Sequence, residues 1–260
     1  MKPGKQSAAS SSTALKALRA LEVVAQSRDP VSVAEVARQL GEEKVTAYRM
    51  LVTLEQAGYV HRDAESRRYA MSYKVISLSR NLLAENEVSK LAQKTLHSIM
   101  EQTGETLHYA VLDGFEAVVV HRVKGSQLVN VDFQIGDRSP LNCTSIGKAL
   151  LAYQNEDFIG QFIESGLQAR TDRTITDAVS LRRELARVRK AGYALDEREF
   201  APDMRCIAVP VFSEGGRVNG GISISGPDSR FTRSYLMKLS KPMVEESREL
   251  SRRLGGIAWN

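Results

Sequence analysis

Near the end of this 260-residue chain the segment GGISISGP (220–227) sets Ser223 and Ser225 two residues apart. On a β-strand, positions i and i+2 face the same side. Both hydroxyls therefore share one face, while Ile222 and Ile224 share the other and point into a core. Two hydroxyls beside apolar neighbours can bind a carboxylate or can simply line a solvent face. A second polar group lies at Thr144–Gly147, where LNCTSIGKALLAY (141–153) turns helical. A helix start there offers unpaired backbone N–H groups and a positive dipole end, which hold an anion without a lysine. Gly147 and Ala149 can equally serve close helix–sheet packing. Cys206, at the head of CIAVPV, is by type a buried small residue.

A thiol enzyme would need Cys143 or Cys206 beside His97, His108 or His121. No nucleophile motif surrounds either cysteine, and the chain has only four histidines. G-x-S-x-G, P-loop, H-E-x-x-H and Rossmann fingerprints are all absent. No catalytic residue, metal site or cofactor is expected. Two cysteines without a C-x-x-C exclude a zinc ribbon or disulfide framework and suit a reducing cytosol.

A different chemistry stands at the other end. Lys44, Thr46, Tyr48, Arg49 and Thr53 share the outer face of a helical repeat whose inner face is Ala47, Met50, Leu51 and Leu54. Cations, hydroxyls and a phenol on one helix face can meet base edges or phosphates in a major groove. The polar stretch YVHRDAESRRYAMS (59–72) adds Arg62, Arg67 and Arg68, suited to a phosphate or minor-groove contact.

The elements that position these groups follow from pattern. Residues 1–12 are Ser/Ala/Gly/Pro/Lys-rich and read as a disordered arm. A helix begins at Thr13 (Leu15, Leu18, Leu21, Val24) and breaks at Asp29-Pro30. Ser32 with Glu35 forms a capping box for Val33, Val36, Ala37 and Leu40, and Gly41 ends that helix. The third helix closes at Gly58, and a short hairpin follows. Helix, helix, tight turn, helix and hairpin make a winged helix-turn-helix over 13–73. Residues 74–87 read as a linker helix, and 88–260 as a second domain. That domain begins with an amphipathic helix to Gly104 and a hairpin at 107–123 about Asp113-Gly114. A strand is expected at 128–133, helices at 155–164 and 177–191, and strands at 193–200, 205–212 and 218–226. A closing helix interrupted or kinked near Pro242 completes an α+β, sensor-like domain.

Composition agrees. Hydrophobic residues at 42% and charged ones at 26% suit a globular chain of one or two domains. No apolar run approaches the ~18–20 residues of a membrane helix, and the N-terminal stretch has no apolar core of a secretory signal. A cytoplasmic protein with no membrane partner is expected. Through residue 80 there are 13 Lys+Arg against 8 Asp+Glu, a balance of +5, and residues 81–260 balance at 23 of each. A basic end on a neutral body fits a nucleic-acid-binding domain joined to a separate one.

These blocks, in order, resemble the IclR family of bacterial transcriptional regulators over residues 13–255. The resemblance rests on SVAEVARQLGEEKVTAYRMLVTLEQAGYV with its wing, then LNCTSIGKALLA, AGYALDEREFAPDMRCIAVPVF and GGISISGP. It implies a winged helix-turn-helix, a linker helix and a GAF/PAS-like effector-binding domain. It implies a homodimer, or a dimer of dimers, on a pseudo-palindromic double-stranded operator, controlled by a small organic or aromatic carboxylate. Carried over by motif, the effector residues are Ser145, Ile146, Asp196, Cys206, Ser223 and Ser225, with Leu128 on the preceding strand. The chain departs from the pattern at Asp203, where a glycine is usual, and at Arg198, which interrupts Asp196, Glu197 and Glu199; Arg198 or Arg205 would then alter which anion fits. The expected function is a ligand-responsive repressor of a catabolic operon. An activator of such an operon, or a small-molecule-binding protein without a DNA role, are the alternatives.

Overall fold

The computed structural model describes residues 11–83 and 87–256. The arm expected over 1–12 lies almost wholly outside them, as do 84–86 of the linker. The chain divides between residues 84 and 85 into two units.

The first unit contains α1 (Ser12–Gln26), α2 (Val33–Leu40), α3 (Lys44–Gln56), β1 (Val60–Arg62), β2 (Tyr69–Met71) and α4 (Lys74–Leu83). Ser32 caps α2 by accepting from the Glu35 N–H, while the Glu35 carboxylate accepts from the Ser32 N–H, closing the capping box. Gly41 ends α2 at φ 67°, a left-handed position that lets α3 start three residues later. Ala20, Val36, Ala37, Ala47, Leu51 and Tyr69 are buried together, so the three helices and the hairpin share one small core. The helix expected as a linker over 74–87 ends at Leu83 among the described residues, and it groups with this unit.

The second unit contains α5 (Glu87–Thr103), β3 (Leu107–Asp113), β4 (Glu116–Val123), β5 (Arg138–Pro140), α6 (Ser145–Leu151), α7 (Glu156–Glu164), α8 (Ala178–Ala191), β6 (Ala194–Glu197), β7 (Met204–Phe212), β8 (Val218–Pro227) and α9 (Arg233–Arg253). The strands form one antiparallel sheet in the order β5-β4-β3-β8-β7-β6. Period-two alternation gives its two faces different jobs. Leu107, Tyr109, Ile207, Val209, Ile222 and Ile224 face α5 and α9 in one core. Ala110, Ala117, Val119, Ala194 and Ala208 face α6, α7 and α8 in another. Small residues on that second face leave room above the sheet.

Three expectations change. Residues 128–133 form no strand. Their polar groups are answered outside the sheet, by Arg230 donating to the Val129 carbonyl and by the Arg122–Asp132 ion pair. The hairpin loop is Gly114-Phe115, one residue later than expected, because Asp113 pairs with Glu116 and the left-handed φ of 58° falls on Gly114. α9 runs uninterrupted through Pro242, whose ring nitrogen cannot donate to the preceding turn.

Candidate functional site

In the first unit α3 buries Ala47, Met50, Leu51 and Leu54 and turns Lys44, Val45, Tyr48 and Arg49 outward. These four are neighbours on one face because they recur at i, i+1, i+4 and i+5. Thr46 is half-buried at its edge. Thr53 is exposed farther along, its hydroxyl donating to the Arg49 carbonyl at 2.9 Å. Sequence pattern passed over Val45, which is 67% exposed beside the cations. An exposed valine there suits a thymine methyl.

The three wing arginines separate. Arg67 is exposed at the tip with φ 56°. Arg62 lies against the Tyr69 ring, 5.5 Å from its centroid, and donates to the Arg67 carbonyl. Arg68 donates to both carboxylate oxygens of Glu35, at 2.9 and 2.7 Å, and to the Pro30 carbonyl at 2.7 Å. These bonds tie the wing to the start of α2. The Ser32 backbone N–H, the Ser32 hydroxyl and Arg68 together hold the Glu35 carboxyl down to about 2.

In the second unit a cavity lies over the small-residue face of the sheet. It is narrow and partly open to solvent. Ser223 and Ser225 of β8 and Cys206 of β7 form its floor, and Ser145 and Ile146 of α6 form a wall. Five of the seven expected effector residues thus converge, brought together by register: Cys206 pairs with Ser225 across β7–β8. Thr144 caps α6, accepting from the Gly147 N–H and donating to the Pro140 carbonyl. Gly147 also carries out the packing role, since a Cβ there would stand 2.5 Å from the Leu141 Cα and the Pro140 oxygen.

Asp196 stands one strand behind the floor, directly opposite Cys206 on β6. Its Oδ1 accepts from the Glu199 N–H at 2.7 Å, and its Oδ2 is buried with no hydrogen-bond partner among the described residues. Burial pushes its carboxyl up to about 7; the Glu199 N–H opposes this and the Glu199 charge adds to it. Leu128 is fully exposed, lies on no strand and does not line the cavity. Arg198, Asp203 and Arg205 do not line it either. Arg205 alternates away from Cys206 and donates to the Phe231 carbonyl, and Arg198 sits 3.6 Å from Asp228.

Burial, first of all, raises the Cys206 thiol well above its usual range, and raises Cys143 to about 12. His97 is exposed on α5, and His121 meets the Ser89 hydroxyl. No group of ligands that could hold a metal occurs among the described residues.

The sequence reading missed Lys148. This α6 lysine is 1% exposed and pairs with Glu199 at 2.5 Å and Glu184 at 3.3 Å. Glu184 in turn binds Arg187 through both oxygens. The network ties α6, α8 and the turn after β6 together behind the floor. GKALL as a string gives no sign that its lysine is inside. His108 of β3 was weighed only as a thiol partner. It is buried on the cavity wall, edge-on to Phe133.

Residues 13–64 match the family described as IclR helix-turn-helix domain, and residues 80–252 match Bacterial transcriptional regulator IclR C-terminal. The chain is 31% identical to the transcriptional repressor IclR of Escherichia coli over 93% of its length and 89% of the relative's. It is 30% identical to the acetate operon repressor of Salmonella typhimurium, over 93% of this chain and 89% of that one. The crystal structure of Thermotoga maritima IclR is similar at a TM-score of 0.74 and 34% identity, covering 94% of this chain and 98% of that one.

Proposed function

The chain belongs to the IclR family of bacterial transcriptional regulators, and on that premise we propose that it is a repressor that binds operator DNA through its first unit and a small organic acid through its second. One observation carries the reading: a solvent-facing row of Lys44, Val45, Tyr48 and Arg49 shares a chain with a partly open pocket that carries the hydroxyls of Ser145, Ser223 and Ser225. Lys44, Tyr48 and Arg49 read the major groove, with Thr46 and Thr53 at the margins of the same face. Arg62 and Arg67 take phosphates or the minor groove, while Arg68 holds the wing in place. Ser145, Ile146, Cys206, Ser223 and Ser225 hold the acid, with Asp196 behind them. The protein acts as a homodimer or dimer of dimers on a pseudo-palindromic site, and in the cytoplasm; no described helix is long and apolar enough to cross a membrane. The relative named as an acetate operon repressor supports the repressor sign.

The test is fluorescence anisotropy on the duplex upstream of the protein's own coding region and on a random duplex, across a salt series. Phosphate contacts make log affinity fall linearly with log salt. Arg49→Ala is expected to cost about 1–3 kcal/mol on the operator if it reads a base, and less on random DNA. Equal affinity for the two duplexes at every salt concentration would refute operator recognition.

A further inference from the structure

The operator-binding reading gives Lys44, Tyr48 and Arg49 a task in the groove and leaves Val45, between them on the same face, without one. Across α2, α3 and the β1–β2 hairpin, Val45 and Tyr48 are the large apolar side chains left in solvent, and Val45 is the more exposed at 67%. It does nothing for the fold. Val45 precedes Ala47 by two residues, which puts it about 200° around the helix from that wholly buried side chain. It is absent from the core that Ala47, Met50, Leu51 and Leu54 share with α1, α2 and the hairpin. Valine is also a poorer helix former than lysine, glutamate or alanine, because branching at Cβ costs it rotamer freedom. The free unit gains neither burial nor helix stability from this residue.

Valine offers instead a stiff pair of methyl groups. In a helix its χ1 is almost fixed, so little entropy is lost when they press against a partner. The neighbours decide what that partner is. Lys44 and Arg49 are both exposed beside it, and an apolar protein surface laid on Val45 would desolvate these charges without compensation. They suit a surface that is anionic along its edges and apolar at isolated points inside it. The major groove of B-DNA is such a surface, and its apolar points are the C5 methyl groups of thymine. In a helix-turn-helix the N-terminal residues of the second helix are the ones that reach base edges, and Val45 is the second residue of α3. Ala47 and Leu51, wholly buried, fix the rotation of α3, so Val45 meets the groove whenever Lys44 and Arg49 do.

We propose that Val45 is a specificity-determining residue that packs its methyls on the C5 methyl of a thymine in each operator half-site. This rests on the operator-binding reading above, and the test separates the two. Arg49 stands one turn along the same face, about 6 Å away by helical rise. That thymine therefore lies roughly two base-pair steps of about 3.4 Å from the base or phosphate that Arg49 meets. The experiment is uracil interference. The full chain is titrated at fixed salt into the duplex upstream of its coding region, with deoxyuridine replacing thymidine one position at a time, and fluorescence anisotropy reads the binding. Uracil removes the C5 methyl and leaves the hydrogen-bonding edges as they were. In the unaltered protein, uracil at one thymine per half-site is expected to weaken binding about fourfold, and roughly fifteenfold with both replaced, the worth of one buried methyl group apiece. In Val45→Ala and Val45→Ser, binding to the thymine duplex falls by a similar factor, and the penalty at that thymine shrinks to within about 1.5-fold on the same scale. Val45→Thr, which keeps one of the two methyls, keeps part of the penalty. All three variants keep the Tm of the unaltered protein. A duplex still preferred over random DNA but with no thymine sensitive to uracil overturns the role of Val45 alone, as does a penalty unchanged in both the alanine and serine variants. Equal affinity for the upstream and random duplexes overturns the operator reading and this inference with it.

Discussion

Replacing Asp196 by asparagine should change how the stability of the second unit depends on pH. The carboxyl is buried, and folding raises it from its ordinary 3.8 to about 7. A carboxyl raised by folding favours the native state while protonated, and that advantage is lost as pH rises toward the folded value. The full difference corresponds to about 4 kcal/mol, and the part lost between pH 5 and pH 8 is about 2.5 kcal/mol. Asparagine keeps an oxygen for the Glu199 N–H, which donates to Oδ1 at 2.7 Å, and can never ionise. Subtracting wild-type from Asp196→Asn stability cancels every other titrating group to first order. Asp196→Asn should therefore gain on the wild type by about 2.5 kcal/mol between pH 5 and pH 8, or roughly 5–10 °C in Tm for a unit of this size. Thermal and urea unfolding at half-unit steps of pH would read it. A difference between the two proteins that stays flat from pH 5 to 8 would refute the placement of this carboxyl in a dry site.

Other perturbations follow from the same geometry. Lys148→Met strands Glu199, while Glu184 keeps Arg187 on both oxygens, and should cost about 3–5 kcal/mol; urea unfolding of Lys148→Met and Lys148→Met/Glu199→Gln, with partial recovery in the second, checks it. Gly147→Ala drives a methyl against main chain at 2.5 Å, so a loss of at least ~1–3 kcal/mol is expected from overpacking, with a lower Tm as the readout. Arg68→Ala should lower the Tm of the winged unit and leave the salt slope of DNA binding unchanged, whereas Arg62→Ala should reduce that slope by about one.

Local rules carried the reading wherever the chain obeys them locally. Ser32 and Glu35 sit three residues apart and close their box within one helical turn, and the SISG alternation puts hydroxyls and isoleucines on opposite faces by strand geometry alone. What escaped depends on partners far along the chain. Arg68 ties the wing to α2 because Glu35, 33 residues earlier, meets it there. Lys148 is inside because Glu199, 51 residues later, meets it there. The alternating pattern of LVNVDF (128–133) imitates a strand, yet no neighbouring strand is placed to receive it, so Leu128 is left in solvent.

The central claim is that one chain couples an acid to DNA. The most direct measurement is the affinity for the upstream duplex with and without a saturating acid, set beside the affinity for that acid with and without the duplex. Coupling of about 1–3 kcal/mol would change DNA affinity by roughly 5–150-fold, and linkage requires the same factor in the acid affinity. That result, abolished in Ser223→Ala/Ser225→Ala, is the one predicted. Acid and DNA that both bind, with neither altering the affinity for the other, would contradict the account.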